Sequence, residues 1–127
     1  MARFFWVCLG GAVGTGARYA ISGWAARRLG AAFPYGTLLV NVVGSYLISL
    51  IMQLALVSET VPPDLRVVLT VGVMGGFTTY STFNYETLAY FREGAWAMGS
   101  LNALGMVAAC LAAGLAGVAS ARLLVGS

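Results

Sequence analysis

Four apolar stretches, about 4–24, 36–57, 65–90 and 95–124, divide the chain, and short polar segments separate them. Each holds roughly 20 or more residues, the length a helix needs to cross the hydrocarbon core of a bilayer. The pattern predicts an all-α membrane protein with four transmembrane helices forming one domain over 1–127. The connecting segments carry the turn chemistry: Arg27, Arg28 and Pro34 in the first, Pro62-Pro63 in the second, Arg92-Glu93-Gly94 in the third.

The third stretch is irregular. Where a plain membrane helix would carry Leu and Val, it reads Gly75-Gly76-Phe77-Thr78-Thr79-Tyr80-Ser81-Thr82-Phe83. Adjacent glycines and β-branched threonines weaken the helical ladder, which predicts a break at mid-membrane around Gly76-Phe77-Thr78. Two readings stand side by side. Freed carbonyls and hydroxyls meet an ion, or the segment is a packing notch whose hydroxyls bond back to their own helix. Beyond the break, Tyr80 and Phe83 share one helical face, and Thr79, Thr82 and Glu86 an adjoining one.

Few other polar residues interrupt the spans. Arg18 lies about one and a half turns inside the predicted end of the first. It either snorkels to the interface or lines a wet vestibule that attracts anions. Asn41 is the only strongly polar residue of the second span until Gln53, and it is either helix glue or a wall of a water-filled path; Asn102 is the one amide of the fourth span. Glu86 is the one acid within any span. The pairs Gly10/Gly14 and Gly16/Ala20, and the set Gly44, Ser45 and Ser49 beside Asn41, predict close helix contacts.

Composition agrees with this plan. Hydrophobic residues make up 60% of the chain and charged residues 9%, far below the quarter or so of a soluble domain. The net charge of +3 comes from arginines near predicted helix ends, read as interface anchors. No soluble face is left for nucleic acid. Cys8 and Cys110 lie inside apolar spans and are read as small buried hydrophobes. With no His, no paired carboxylates and no phosphate-binding loop, the chain has no catalytic constellation and is read as a non-enzyme.

With four spans, Arg3, Arg66 and Arg122 fall on one side of the membrane and Arg27, Arg28 and Arg92 on the other. The positive-inside rule then sets no orientation, so the chain can insert both ways. Two opposed copies pair about an axis in the membrane plane, the symmetry of an antiparallel dual-topology homodimer. Two transport classes suit that plan. Small multidrug-type exporters share length and span count, but use a Glu in the first span, where this chain carries Arg18. An anion-conducting pore suits the residues better. A non-transporting membrane assembly protein is the third option.

Gly14-x-x-x-Arg18-Tyr19, Gly36-Thr37-Leu38 followed by Asn41-x-x-Gly44, and the motif from Gly75 to Phe83 with Glu86-Thr87 together resemble the Fluc/CrcB fluoride channels. The resemblance runs through the whole chain in order, and the third-span motif is its specific part. It implies a passive, fluoride-selective channel of the bacterial inner (plasma) membrane, multi-pass, with two pores per antiparallel dimer. It implies a structural sodium ion at the dimer interface, held by the backbone carbonyls of Gly75 and Thr78. Pore residues would be Asn41, Tyr80 and Phe83, with hydroxyls from Ser81 and Thr82, and Arg18 and Glu86 at the vestibule.

The implied chemistry is coherent. Fluoride holds its water tightly, so neutral N–H and O–H donors and the positive edges of aromatic rings must replace that water. Conduction also needs binding weak enough to release the ion. Two positions depart from the family pattern: Tyr80 stands where Phe is usual, and the fourth span offers Asn102, Met106 and Cys110 in place of tyrosine and serines.

Overall fold

The computed structural model describes residues 1–126, and every regular element among them is helical. Helix α1 spans Ala2–Leu29 and α2 Tyr35–Val57. The third span is assembled from pieces: α3 (Pro63–Val67), a π-helical stretch Val68–Met74, α4 (Gly75–Phe77) and α5 (Tyr80–Arg92). Helix α6 covers Trp96–Val125. Of these, α2 and α6 are long and apolar enough to cross a bilayer, each with mean hydropathy 1.9. In α1, arginines and glycines dilute the apolar run, and the third span is interrupted.

Local chemistry sets most boundaries. Helix α1 runs five residues beyond the expected Trp24, because Arg27 and Arg28 sit in its last turn, where cations suit the negative end of the helix. It stops at Gly30, whose φ of 89° favours glycine. Pro63 starts α3 at the first helical position, where its missing N–H costs nothing. Thr79 starts α5, its hydroxyl accepting the Thr82 N–H at 3.3 Å.

The break in the third span lies later than expected. Gly75 is helical (φ −61°, ψ −39°), and the extended residues are Thr78 (φ −88°, ψ 160°) and Thr79 (φ −152°, ψ 115°). The π-helical stretch ahead of it, rich in β-branched Val, is a second loosening that the glycine signal did not indicate.

The break lets one span serve two neighbours. Its first half packs on α1 and its second half, α5, packs on α6, while α2 and α6 form the most extensive pair. Facing glycines close the first contact. A Cβ on Gly76 would overlap the Gly11 carbonyl, one on Gly14 the Val73 carbonyl, and one on Gly72 would lie 2.8 Å from the Val7 carbonyl. Gly10/Gly14 on α1 thus meets Gly72/Gly76 on the third span, small residue against small residue. Gly117 brings α6 equally close to the Tyr46 carbonyl of α2.

Arg3 and Asp64 form an exposed ion pair at 2.6 Å, joining the start of α1 to the loop after α2. Cys110 is half-buried, but Cys8 is exposed on the outer face of α1, contrary to the reading of both as buried. Large apolar side chains crowd the outside, among them Phe4 (71% exposed), Leu104 (73%) and Leu115 (73%). Patches of that extent belong against lipid or another protein.

Candidate functional site

The densest set of polar contacts gathers around the two extended threonines. Asn41, buried on α2, grips the Thr79 peptide from both ends. Its Oδ1 accepts the Thr79 N–H at 2.8 Å and its Nδ2 donates to the Thr79 carbonyl at 2.9 Å. A side-chain amide carries the same donor and acceptor as a backbone peptide, so it pairs with the extended residue as a neighbouring strand would. Gly44, one turn along α2, lets Thr78 pack directly on that helix, since a Cβ there would overlap the Thr78 methyl.

The grip has a consequence for three carbonyls. In an unbroken helix the Thr79 N–H would bond to the Gly75 carbonyl, and the Thr82 N–H to the Thr78 carbonyl. Here the first goes to Asn41 and the second to the Thr79 hydroxyl. Gly75 and Thr78 therefore lose their helical donors. The Gly76 carbonyl, which would accept from Tyr80, instead accepts from Arg18 Nε at 2.9 Å.

A groove of about 720 Å³ opens beside the break. Asn41, Gly75, Thr78, Tyr80, Phe83 and Met106 line it. Tyr80 and Phe83 meet edge to face, with centroids 5.7 Å apart and planes at 69°. Phe83 is buried, while Tyr80 is 77% exposed. On the α6 wall, two sulfur side chains stand among aliphatic ones. Asn41 Nδ2 also points at Met106 Sδ at 3.7 Å, and Cys110 Sγ lies 3.8 Å from the same atom. Thioether sulfur is a weak acceptor, so the second Asn41 N–H is loosely held.

The other expected residues lie apart from this groove. Ser81 is exposed, and the Thr82 hydroxyl accepts from Thr79 Oγ1 at 3.0 Å. Glu86 lines a second cavity of about 570 Å³, with Ser22, Thr37 and Tyr90. There it accepts from Thr37 Oγ1 at 2.7 Å, and its other oxygen is buried without a partner. Arg18 lines neither cavity.

Three residues that the sequence reading named without a role at the site contribute to it. Thr37 sits one turn before Asn41, a spacing that could have paired it with the site. Thr79 is the residue Asn41 holds, and its Thr-x-x-Thr spacing is a capping signal. Thr87 receives Asn102 Nδ2 at 2.9 Å, tying α6 to α5 just beyond Phe83. Asn102 thus serves as glue rather than as groove wall.

These features define an all-helical membrane protein built around a broken helix, its half-helix ends opposed at a mainly apolar, aromatic-edged groove that carries a few polar groups. The chain matches the family described as CrcB-like protein, Camphor Resistance (CrcB), over residues 5–118, and belongs to it. It is 57% identical over 126 residues to the Fluoride-specific ion channel FluC of Anaeromyxobacter dehalogenans, covering 99% of this chain and 100% of that one. The protein of the same name from Sorangium cellulosum is 50% identical, with 98% of each chain covered. That of Geobacter metallireducens is 46% identical over 91% of this chain and 94% of its own.

Proposed function

We propose that this chain is a passive, fluoride-selective ion channel that exports fluoride across the bacterial inner membrane. The observation that carries the reading is the Asn41 grip on Thr79. It holds open a two-residue break at the wall of a groove edged by Tyr80 and Phe83. Relatives named as fluoride-specific ion channels, matching end to end, support the choice of ion. A channel makes and breaks no covalent bond, so no residue has a catalytic role.

The break supplies two kinds of electrostatic end. The start of α5 directs N–H groups and a partial positive charge toward an anion, and the carbonyl end of α4 suits a cation. Fluoride entering the groove meets the loosely held second N–H of Asn41 and the ring edges of Tyr80 and Phe83. No fixed cation lines the groove, so the ion is stabilised without being trapped. Hydroxyls of Ser81 and Thr82 do not line this groove, and in this reading they serve the path only where a second copy completes it.

The working unit in this reading is an antiparallel, dual-topology homodimer of four-span protomers with two pores and a sodium ion at its interface. Large exposed apolar faces supply area for both lipid and a second copy. Helical spans suit the inner membrane, since outer-membrane proteins are barrels. The residues fit a sodium ion. The Gly75 and Thr78 carbonyls have lost their helical donors, and both residues line the open groove. Carbonyl oxygens suit a small hard cation, and a bound ion would join the two protomers structurally.

Expression in a bacterium deprived of its own fluoride exporter tests the reading. Growth in otherwise inhibitory fluoride is expected with the wild-type chain and not with Asn41→Ala. Failure of the well-expressed wild-type chain to protect would overturn it.

A further inference from the structure

We propose that Arg18 is a positioning residue whose guanidinium holds the carbonyl end of α4, rather than a charge that draws anions into a vestibule. The inference rests on the channel reading in that the break it holds is the ion site proposed above. The bond itself is independent of that reading.

Depth comes first. Because α1 continues to Leu29, Arg18 lies 11 residues from its end, which is about three turns or about 16 Å along the axis. That distance exceeds the reach of a snorkelling side chain, so Arg18 must find its partners within the protein. Among the described residues the only ion pair joins Arg3 to Asp64, so no carboxylate neutralises it.

Its partner is the Gly76 carbonyl, at 2.9 Å from Nε. Gly10, Gly14 and Arg18 recur every four residues and share one face of α1, the face that Gly72 and Gly76 allow to approach. The glycine contact therefore sets the register that delivers Nε to Gly76. The bond replaces the Tyr80 N–H that the break removes, and it places a cation where a helix ends in partial negative charge. Asn41 grips the far side of the break at Thr79 from α2. Arg18 grips the near side from α1, so two helices fix Phe77 and Thr78 between them.

Full-length Arg18→Lys and Arg18→Gln separate the two roles. Lysine keeps the charge but lacks the Nε–H in its planar fork. Two readouts are taken: amide hydrogen exchange over residues 74–84, and initial fluoride flux from liposomes against fluoride concentration. Positioning requires both variants to exchange about tenfold faster over that segment. Maximal flux should fall by about tenfold in both, with the half-saturating fluoride concentration unchanged. Misfolding of both variants would also support positioning, since an anion attractor is dispensable for folding. Wild-type exchange in both variants, with Arg18→Lys conducting normally and Arg18→Gln only raising the half-saturating concentration, would overturn it. If the wild-type protein carries no fluoride, the channel reading fails, while the exchange comparison still decides the role of Arg18.

Discussion

Asn41 and Thr79 exchange two hydrogen bonds, 2.8 and 2.9 Å long, across the space between α2 and the third span. The pairing makes an extended residue stable in the middle of a helical membrane segment. A lone peptide out of the helix would leave both its polar groups unpaired, each at a cost of about 1–3 kcal/mol.

Asn41→Ala should therefore destabilise the fold by about 2–4 kcal/mol, the sum of two orphaned backbone groups less some relaxation. Denaturant unfolding in detergent measures it. Asn41→Asp should fail differently: it retains an acceptor for the Thr79 N–H but sets a carboxylate against the Thr79 carbonyl and the anion path. Its fluoride flux should be lost. Normal stability and flux in both variants would show that the break stands without its clamp.

Tyr80→Phe tests how much the phenol matters. The ring is 77% exposed and its hydroxyl forms no hydrogen bond among the described residues, so stability should change by less than about 0.5 kcal/mol. The edge contact with Phe83 persists, and fluoride flux should hold or rise. Phe83→Ile removes the buried ring whose centroid lies 5.7 Å from that of Tyr80, and flux should drop by about tenfold or more. Equal flux from Phe83→Ile and the wild type would remove these rings from the path.

The neighbouring glycines should respond oppositely to alanine. A Cβ on Gly76 overlaps the Gly11 carbonyl, which α1 cannot withdraw without losing the whole contact, so Gly76→Ala should cost about 1–3 kcal/mol. At Gly75 a Cβ meets only the Thr70 carbonyl at 3.9 Å, in ordinary helical geometry. Gly75→Ala should leave the protomer as stable or slightly more so. Thermal unfolding of the two variants side by side checks the order, and a reversal would contradict the packing described here.

Thr37→Val and Thr37→Ser make a matched pair at the second cavity. Glu86 has one oxygen without a partner, and Thr37 supplies the other's hydrogen bond at 2.7 Å. Valine should cost about 1–3 kcal/mol and serine much less. Equal unfolding midpoints for the two would mean that the hydroxyl contributes nothing there.

The helical character of the apolar stretches could be read from the sequence, and the observed helices follow those stretches to within about five residues at each end. That the third span is broken was also legible, but not where. Gly75 and Gly76 weaken a helix, yet both remain helical because they serve the contact with α1. The chain opens two residues later, where Asn41 offers the backbone an alternative partner. Sequence 38 residues away in another helix decides that position, and no local propensity encodes it. The surroundings of Arg18 were hidden for a related reason. Its depth depends on where α1 ends, and Arg27 and Arg28 looked like a loop before they proved to be a last turn. The groove wall on α6 was legible in part: Met106 meets Asn41 and Cys110 lines the groove beside it, whereas Asn102 turns to Thr87.

Ion efflux from liposomes containing the purified protein tests the central claim most directly. One set of vesicles is loaded with fluoride and a second with chloride, each followed with its own electrode. Fast fluoride release without chloride release is the expected result. Equal release of both ions, or no fluoride release from folded protein, would contradict the account.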